Sequence, residues 1–295
     1  MLFIEPHAQE TPLIQAARLH TRPGGSLALN VYELTNRRLE GLLVSRAEAG
    51  VRVRILLDGA PWHGGRILGR ERAFCRRNPE LTCRIAPSRF RFDHAKYVIF
   101  DGRYACIGTA NWTWSAFHRN REYIDCTGHR GTVEALQHLF RSDWRDVPAG
   151  RRPRQALVLS PGAQRPLERL LRGSGALDIE TEEMGGVKTL DRLIARHGSH
   201  ARVLLPARLS ARDRYVARKL ARQGVAVRLL SHPYLHAKLI LTGSRAFIGS
   251  ENLTWTSLMR NREVGLLIQN PGILARLHRQ FASDWARGRP LSRSR

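Results

Sequence analysis

The block "HAKYVIFDGRYACIGTANWTWSAFHRNRE" (94–122) returns as "HAKLILTGSRAFIGSENLTWTSLMRNRE" (236–263). A chain that carries one motif-rich block twice is built from two copies of one unit, and finding such a repeat comes before reading any single site. The correspondence runs well beyond the block. "LFIEP" (2–6) answers "LVLSP" (157–161), "LALNVYE" (27–33) answers "LDIETEE" (177–183), "VRVRILLD" (51–58) answers "ARVLLPA" (201–207), and "FRSDW" (140–144) answers "FASDW" (281–285). The offset between copies drifts along the chain, which is the mark of an old duplication with altered loops rather than of a short-period solenoid. The 295 residues therefore divide into a first half over 1–148, a linker over 149–156, a second half over 157–287 and a basic tail over 288–295 that is expected to be disordered alone. "DVPAGRRPRQA" (146–156) has the Pro, Gly and Arg content of an exposed connection.

Within each half, short β-branched runs alternate with helical patterns: "VRVRILL" follows "NRRLEGLLVSRAEAG", and "VAVRLL" follows "ARDRYVARKLARQG". That alternation predicts an α/β fold with a covered sheet in each half. The two H-A-K triplets open strands. Residues two apart on a strand share a face, so His94 projects with Lys96, and His236 with Lys238.

Only four of the 49 basic side chains are lysine, and two of the four occupy these equivalent places. A compact ammonium with three rotatable donors is wanted there, where a planar guanidinium would not substitute. After each strand, a glycine turn places a small hydroxyl residue (Thr109, Ser250) and an amide (Asn111, Asn252) at the strand end. Eleven residues past each asparagine stands a glutamate, Glu122 or Glu263. A carboxylate beside an imidazole fixes its tautomer and supports positive charge on the ring.

The pattern H-x-K-x4-D, G-[ST]-x-N and a downstream glutamate resembles the phospholipase D superfamily of phosphodiesterases. The first copy is complete with His94, Lys96, Asp101, Gly108, Thr109, Asn111 and Glu122. The second has His236, Lys238, Gly249, Ser250, Asn252 and Glu263, but Thr242-Gly243 stands where the aspartate belongs. The resemblance implies two α/β sandwich halves related by a pseudo-two-fold axis within one chain, with both His-Lys pairs on one cleft. It further implies a covalent phosphohistidine mechanism without a metal or other cofactor. By analogy His94 is the nucleophile and His236 the acid and base, while Asp101 supports its motif from behind.

Substrate is read from charge. An excess of basic over acidic residues gives a net charge of +24, which calls for an anionic partner. DNA or RNA is the favoured substrate, with Arg91, Arg119, Arg121, Arg260 and Arg262, together with Thr109 and Ser250, as candidate phosphate contacts. Hydrolysis or transfer of an anionic phospholipid is the alternative, and a non-catalytic nucleic-acid-binding module a third.

No apolar run approaches the roughly eighteen residues of a membrane span, and the first residues lack a signal peptide's pattern. The chain is therefore expected to be cytoplasmic, and to act as a monomer because one chain carries both motifs. Cys75, Cys83, Cys106 and Cys126 have no metal-binding spacing and are expected to be reduced thiols, with a Cys75–Cys83 pair as the alternative. "HGSH" (197–200) reads as a polar turn. Trp112, Trp114 and Trp255 are expected to pack at the interface of the halves, with lining of the cleft for base or acyl contact as the alternative, Trp144 and Trp285 in the core, and Glu33 and Glu183 at matching strand ends that face the cleft or cap local backbone.

Overall fold

The computed structural model describes residues 1–61 and 64–292. The first half supplies seven strands: β1 (Leu2–Glu5), β2 (Ser26–Val31), β3 (Arg52–Leu57), β4 (Thr82–Ile85), β5 (Lys96–Phe100), β6 (Tyr104–Gly108) and β7 (Asn120–Thr127). The second half supplies β8 (Val158–Ser160), β9 (Leu177–Thr181), β10 (Met184–Gly185), β11 (Ala201–Pro206) and β12 (Ala226–Leu230). It continues with β13 (Tyr234–Leu235), β14 (Lys238–Thr242), β15 (Ala246–Gly249), β16 (Leu253–Thr254), β17 (Glu263–Ile268) and β18 (Arg289–Pro290).

The first sheet runs β1-β7-β6-β5-β2-β3-β4, and the second repeats that order as β8-β17-β15-β14-β9-β11-β12 with β18 added at its edge. The duplication seen in sequence is thus a duplication of topology. Parallel pairs β2–β3 and β9–β11 need crossover helices, supplied by 37–48 and 188–195. Asn36 opens the first of these by accepting from the backbone N–H of Arg38 and Leu39, a side-chain N-cap.

Apolar residues alternate along the strands and sort into three clusters. Leu27, Leu29, Val31, Val53 and Ile55 pack under the outer helices of the first half, and Ile179, Val203, Leu205 and Leu220 do the same in the second. The third cluster joins the halves: Tyr97, Ile107, Leu136 and Phe140 meet Leu239, Ile248, Leu277 and Phe281. A continuous apolar core across the pseudo-two-fold interface holds the halves together. Short β13 strengthens it by pairing in parallel with β7 of the other half.

Ionic pairs cross the same interface. Arg121 is fully buried on Asp284, and Arg262, nearly so, on Asp143. These aspartates belong to the two repeated S-D-W triplets. The neighbouring Trp144 and Trp285 are partly buried, stacked on Phe140 and Phe281 and covered by arginines.

Two expectations, on the cysteines and on the tail, need correction. The four cysteines are not reduced thiols but form Cys75–Cys83 and Cys106–Cys126 disulfides, with Cα atoms 6.2 and 4.0 Å apart. The second pair closes cross-strand neighbours of β6 and β7, a closeness that spacing in sequence did not reveal. The connection between halves is exposed over most of its length, and within it 152–155 forms a 3-10 turn with Pro153 buried. Part of the basic tail is ordered, since Arg289 and Pro290 pair with β12, while 293–295 lie outside the described residues. Among the described residues no helix is long and apolar enough to cross a membrane.

Candidate active site

Lys96 is the first residue of β5 and pairs with Val31, the last of β2; Lys238 opens β14 and pairs with Thr181, the last of β9. Both His-x-Lys motifs therefore sit at the same end of their sheets, where the parallel strands β2 and β9 finish. A cleft of about 650 Å³ lies between them, lined from the first half by His94 and Asn111 and from the second by His236 and Asn252.

The carboxylate partners are exchanged between halves. His94 Nδ1 is 2.8 Å from Glu263 Oε2, and His236 Nδ1 is 2.7 Å from Glu122 Oε1, an ion-pair contact whose angle falls short of a hydrogen bond. Each glutamate is fully buried and clamped by its own half. Glu122 accepts from the Thr109 hydroxyl and from Asn120 Nδ2 at 3.2 Å. Glu263 accepts from Ser257 Oγ at 2.7 Å and Asn261 Nδ2 at 2.9 Å. With Nδ1 committed, Nε2 is the nitrogen each ring has left for chemistry.

Burial alone would raise both carboxyl pKa values. The facing histidines and lysines outweigh it and hold Glu122 and Glu263 below the usual carboxylate range. Burial, helped by the positive charges of Lys96 and Lys238, pushes the His94 imidazole down to about 4 against the pull of Glu263. Near neutral pH His94 is thus an unprotonated base with its lone pair on Nε2. Burial also brings Lys96 down to about 8. Both ammoniums fold back on their own motifs, Lys96 Nζ donating to His94 O at 2.6 Å and Lys238 Nζ to His236 O at 2.7 Å.

The other residues singled out in sequence divide. Asn111 and Asn252 line the cleft, and neither carboxamide oxygen has a hydrogen-bond partner among the described residues. Thr109 and Ser250 are fully buried and not open to substrate: their hydroxyls accept the backbone N–H of Tyr123 and Val264 at 2.9 Å, tying the glycine turn to the next strand. Asp101 lies at the opposite end of β5 from Lys96, in a left-handed turn where it accepts from Ser26 N at 2.7 Å. It is a turn residue outside the cleft. In the second half Thr242 Oγ1 accepts from Arg245 N at 3.1 Å, so that turn is closed without an aspartate.

Arg121 and Arg262 are withdrawn as phosphate contacts, because each is buried on an interface aspartate. Arg91, Arg119 and Arg260 are exposed. Trp112 is core, but Trp114 and Trp255 are about half exposed, against expectation. Both Glu33 and Glu183 line the cleft. The histidines of "HGSH" include His197, whose ring meets the carbonyls of Gly175 and Leu171, each at 3.0 Å. Among the described residues no group of three or more His, Cys, Asp or Glu side chains is arranged to hold a metal ion.

Sequence reasoning missed Tyr32, Glu182 and Tyr234. Asn120 and Asn261 were legible, since both precede the repeated R-E. Glu182 had no such signal, because its counterpart in the first half is Tyr32.

The family model described as cardiolipin synthase, PLD-like domain, matches residues 15–144 and 177–285. The chain belongs to this phospholipase D-like family. Its fold is shared by phosphatidylserine synthase from Haemophilus influenzae Rd KW20, at 15% identity and a TM-score of 0.72 over 98% of this chain and 87% of that one. Polyphosphate kinase from Porphyromonas gingivalis superposes with a TM-score of 0.74 at 13% identity, over 97% of this chain and 50% of that one. The chain thus spans half the length of the kinase. No curated protein matches significantly. Phospholipase D-like proteins are phosphodiesterases and phosphotransferases, and the paired motifs place this chain among them at that level.

Proposed function

We propose that the protein is a nuclease that hydrolyses phosphodiesters of DNA or RNA through a phosphohistidine on His94. The observation that carries this reading is the exchanged His–Glu pairing, which leaves both Nε2 atoms facing a single cleft, with Lys96 and Lys238 buried directly behind the two motifs. His94 Nε2 attacks phosphorus as the bond to the leaving oxygen breaks, and His236 passes its Nε2 proton to that oxygen. Water then attacks phosphorus, giving its proton to His236, and the phosphorus–nitrogen bond breaks to return His94 and a phosphate monoester. Lys96, Lys238, Asn111 and Asn252 meet the non-bridging oxygens where charge develops.

The direction of the mechanism rests on an asymmetry. His94 is held neutral, as an attacking nitrogen must be, while His236 has a carboxylate opposite each ring nitrogen, Glu122 and Glu182. Nucleic acid is supported by exposed Arg91, Arg119 and Arg260 near the motifs and by Arg212 on the cleft wall. Half-exposed Trp114, stacked on His118 with centroids 4.9 Å apart and with Arg119 4.8 Å from its ring centre, adds an aromatic and cationic surface of the kind that single-stranded nucleic acid meets. Incubating the protein with single- and double-stranded DNA and RNA, and separately with anionic and zwitterionic vesicles, tests the reading. Strand cleavage supports it; headgroup release from vesicles with intact nucleic acid transfers the same chemistry to a phospholipid.

A further inference from the structure

One pair of equivalent cleft positions differs in charge between the halves. Tyr32 and Glu182 each follow the strand residue that pairs with the motif lysine, Val31 in β2 and Thr181 in β9. In the first half Tyr32 lays its ring 5.1 Å from Lys96 Nζ and edge-on to His94, with centroids 4.7 Å apart. In the second half a carboxylate takes that place. Glu182 Oε2 accepts from Lys238 Nζ at 2.8 Å and lies 3.4 Å from His236 Nε2, while Oε1 accepts from Tyr234 OH at 2.9 Å.

Those contacts set Glu182 on the two atoms that a substrate phosphate has to meet, the ammonium and the free imidazole nitrogen. A carboxylate oxygen there stands where a non-bridging or leaving oxygen would otherwise lie. Its charge persists, since the attraction of His236 and Lys238 overcomes the burial that would raise its pKa and holds it far below the usual carboxylate range. Tyr234 fixes it from the far side, so the carboxylate is a built part of the cradle rather than a surface chain passing by.

We infer that Glu182 is a specificity-determining residue: its fixed negative charge admits a monoanionic phosphodiester and repels a dianionic phosphate monoester. This rests on the phosphodiester reading above and extends it. Repulsion by a fixed charge doubles with the charge on the ligand. Hydrolysis of a diester leaves a monoester, so the group that discriminates between ligands also expels the product. Tyr32 puts an uncharged ring at the equivalent place beside Lys96 and His94, so this repulsion comes from the second half's motif alone.

The test is calorimetric binding of two small probes, dimethyl phosphate (a monoanion) and phenyl phosphate, at about pH 7.5, where a monoester with a second pKa near 6 is a dianion. In the parental protein the diester should bind at least as tightly as the monoester despite carrying half its charge. Glu182→Gln should tighten phenyl phosphate by about tenfold or more and dimethyl phosphate by about threefold or less, whereas Glu182→Asp should keep the parental preference. Tighter parental binding of the monoester overturns the inference without any variant. Equal tightening of both probes by Glu182→Gln makes the side chain a steric plug and also overturns it, as does no change in either. If neither probe binds the parental protein or the variant, the phosphodiester reading falls together with it.

Discussion

Arg121 and Asp284, 163 residues apart in sequence, form a buried fork with contacts of 2.6 and 3.0 Å, and Arg262 repeats it on Asp143 with the halves exchanged. Each arginine immediately precedes the glutamate that serves the opposite histidine. One short stretch of strand thus carries both the lock between halves and the orienting group of the site.

Removing one member of such a pair leaves a charge stranded in the core. Arg121→Met should lower unfolding stability by about 3–5 kcal/mol. Adding Asp284→Leu should recover most of that loss, because no unpaired charge remains. Urea denaturation of the two variants beside Arg91→Ala, which should be near neutral, measures it.

Catalysis should fail differently at the two histidines. His94→Ala and His236→Ala should each reduce turnover of a diester by about a thousandfold or more. With bis-p-nitrophenyl phosphate, whose leaving group needs no proton, His236→Ala should still release one equivalent in a burst and then stall. His94→Ala should give no burst. The opposite pattern would exchange their roles.

Because the carboxylates are exchanged, Glu263→Gln should slow the burst, which reports attack by His94, and Glu122→Gln should slow the turnover that follows it. Glu263→Gln should add little loss to His94→Ala. Rapid-mix kinetics on these variants would detect pairing within halves as the reverse assignment.

The pH profile follows from the two shifted groups. Neutral His94 is required and forms above about 4; cationic Lys96 is required and is lost above about 8. kcat/KM should therefore fall below the first value and above the second, with a plateau between. A flat profile through pH 9 would remove Lys96 from the transition state.

Nucleic-acid affinity should depend on Arg91, Arg119 and Arg260 together. Converting all three to Glu should flatten the slope of log affinity against log salt by roughly two to three, given about 0.9 per lost phosphate contact on duplex DNA. Filter binding across a salt series gives the slope.

Much of this arrangement was readable from residues alone. The repeat predicted two halves of one topology, but the H-A-K triplets, read as the opening of strands, stand just ahead of them: β5 and β14 begin at the lysines, and each histidine lies in the stretch of chain before the strand. What the repeat does not encode is whether equivalent groups serve their own half or the other: Glu122 and Glu263 stand at identical spacing in either case, and only the packing of β17 against β5 and β6 across the interface decides it. Arg121 was misjudged because arginine near a motif looks like a phosphate contact. On a strand, however, it points to the face opposite Glu122, and that face is the interface. Asp101 and Thr109 are conspicuous in the motif for turn geometry, which spacing does not distinguish from chemistry. Glu182 was invisible because comparing two copies exposes only what they share.

The exchanged pairing also has a consequence in time. A chain emerging from the ribosome folds its earlier portions first, and His94 is available long before Glu263 has been added. Until translation passes that residue, the nascent first half has no Glu263 to hold the His94 ring. Under the mechanism proposed above, a polypeptide stopped short of residue 263 should therefore be chemically silent.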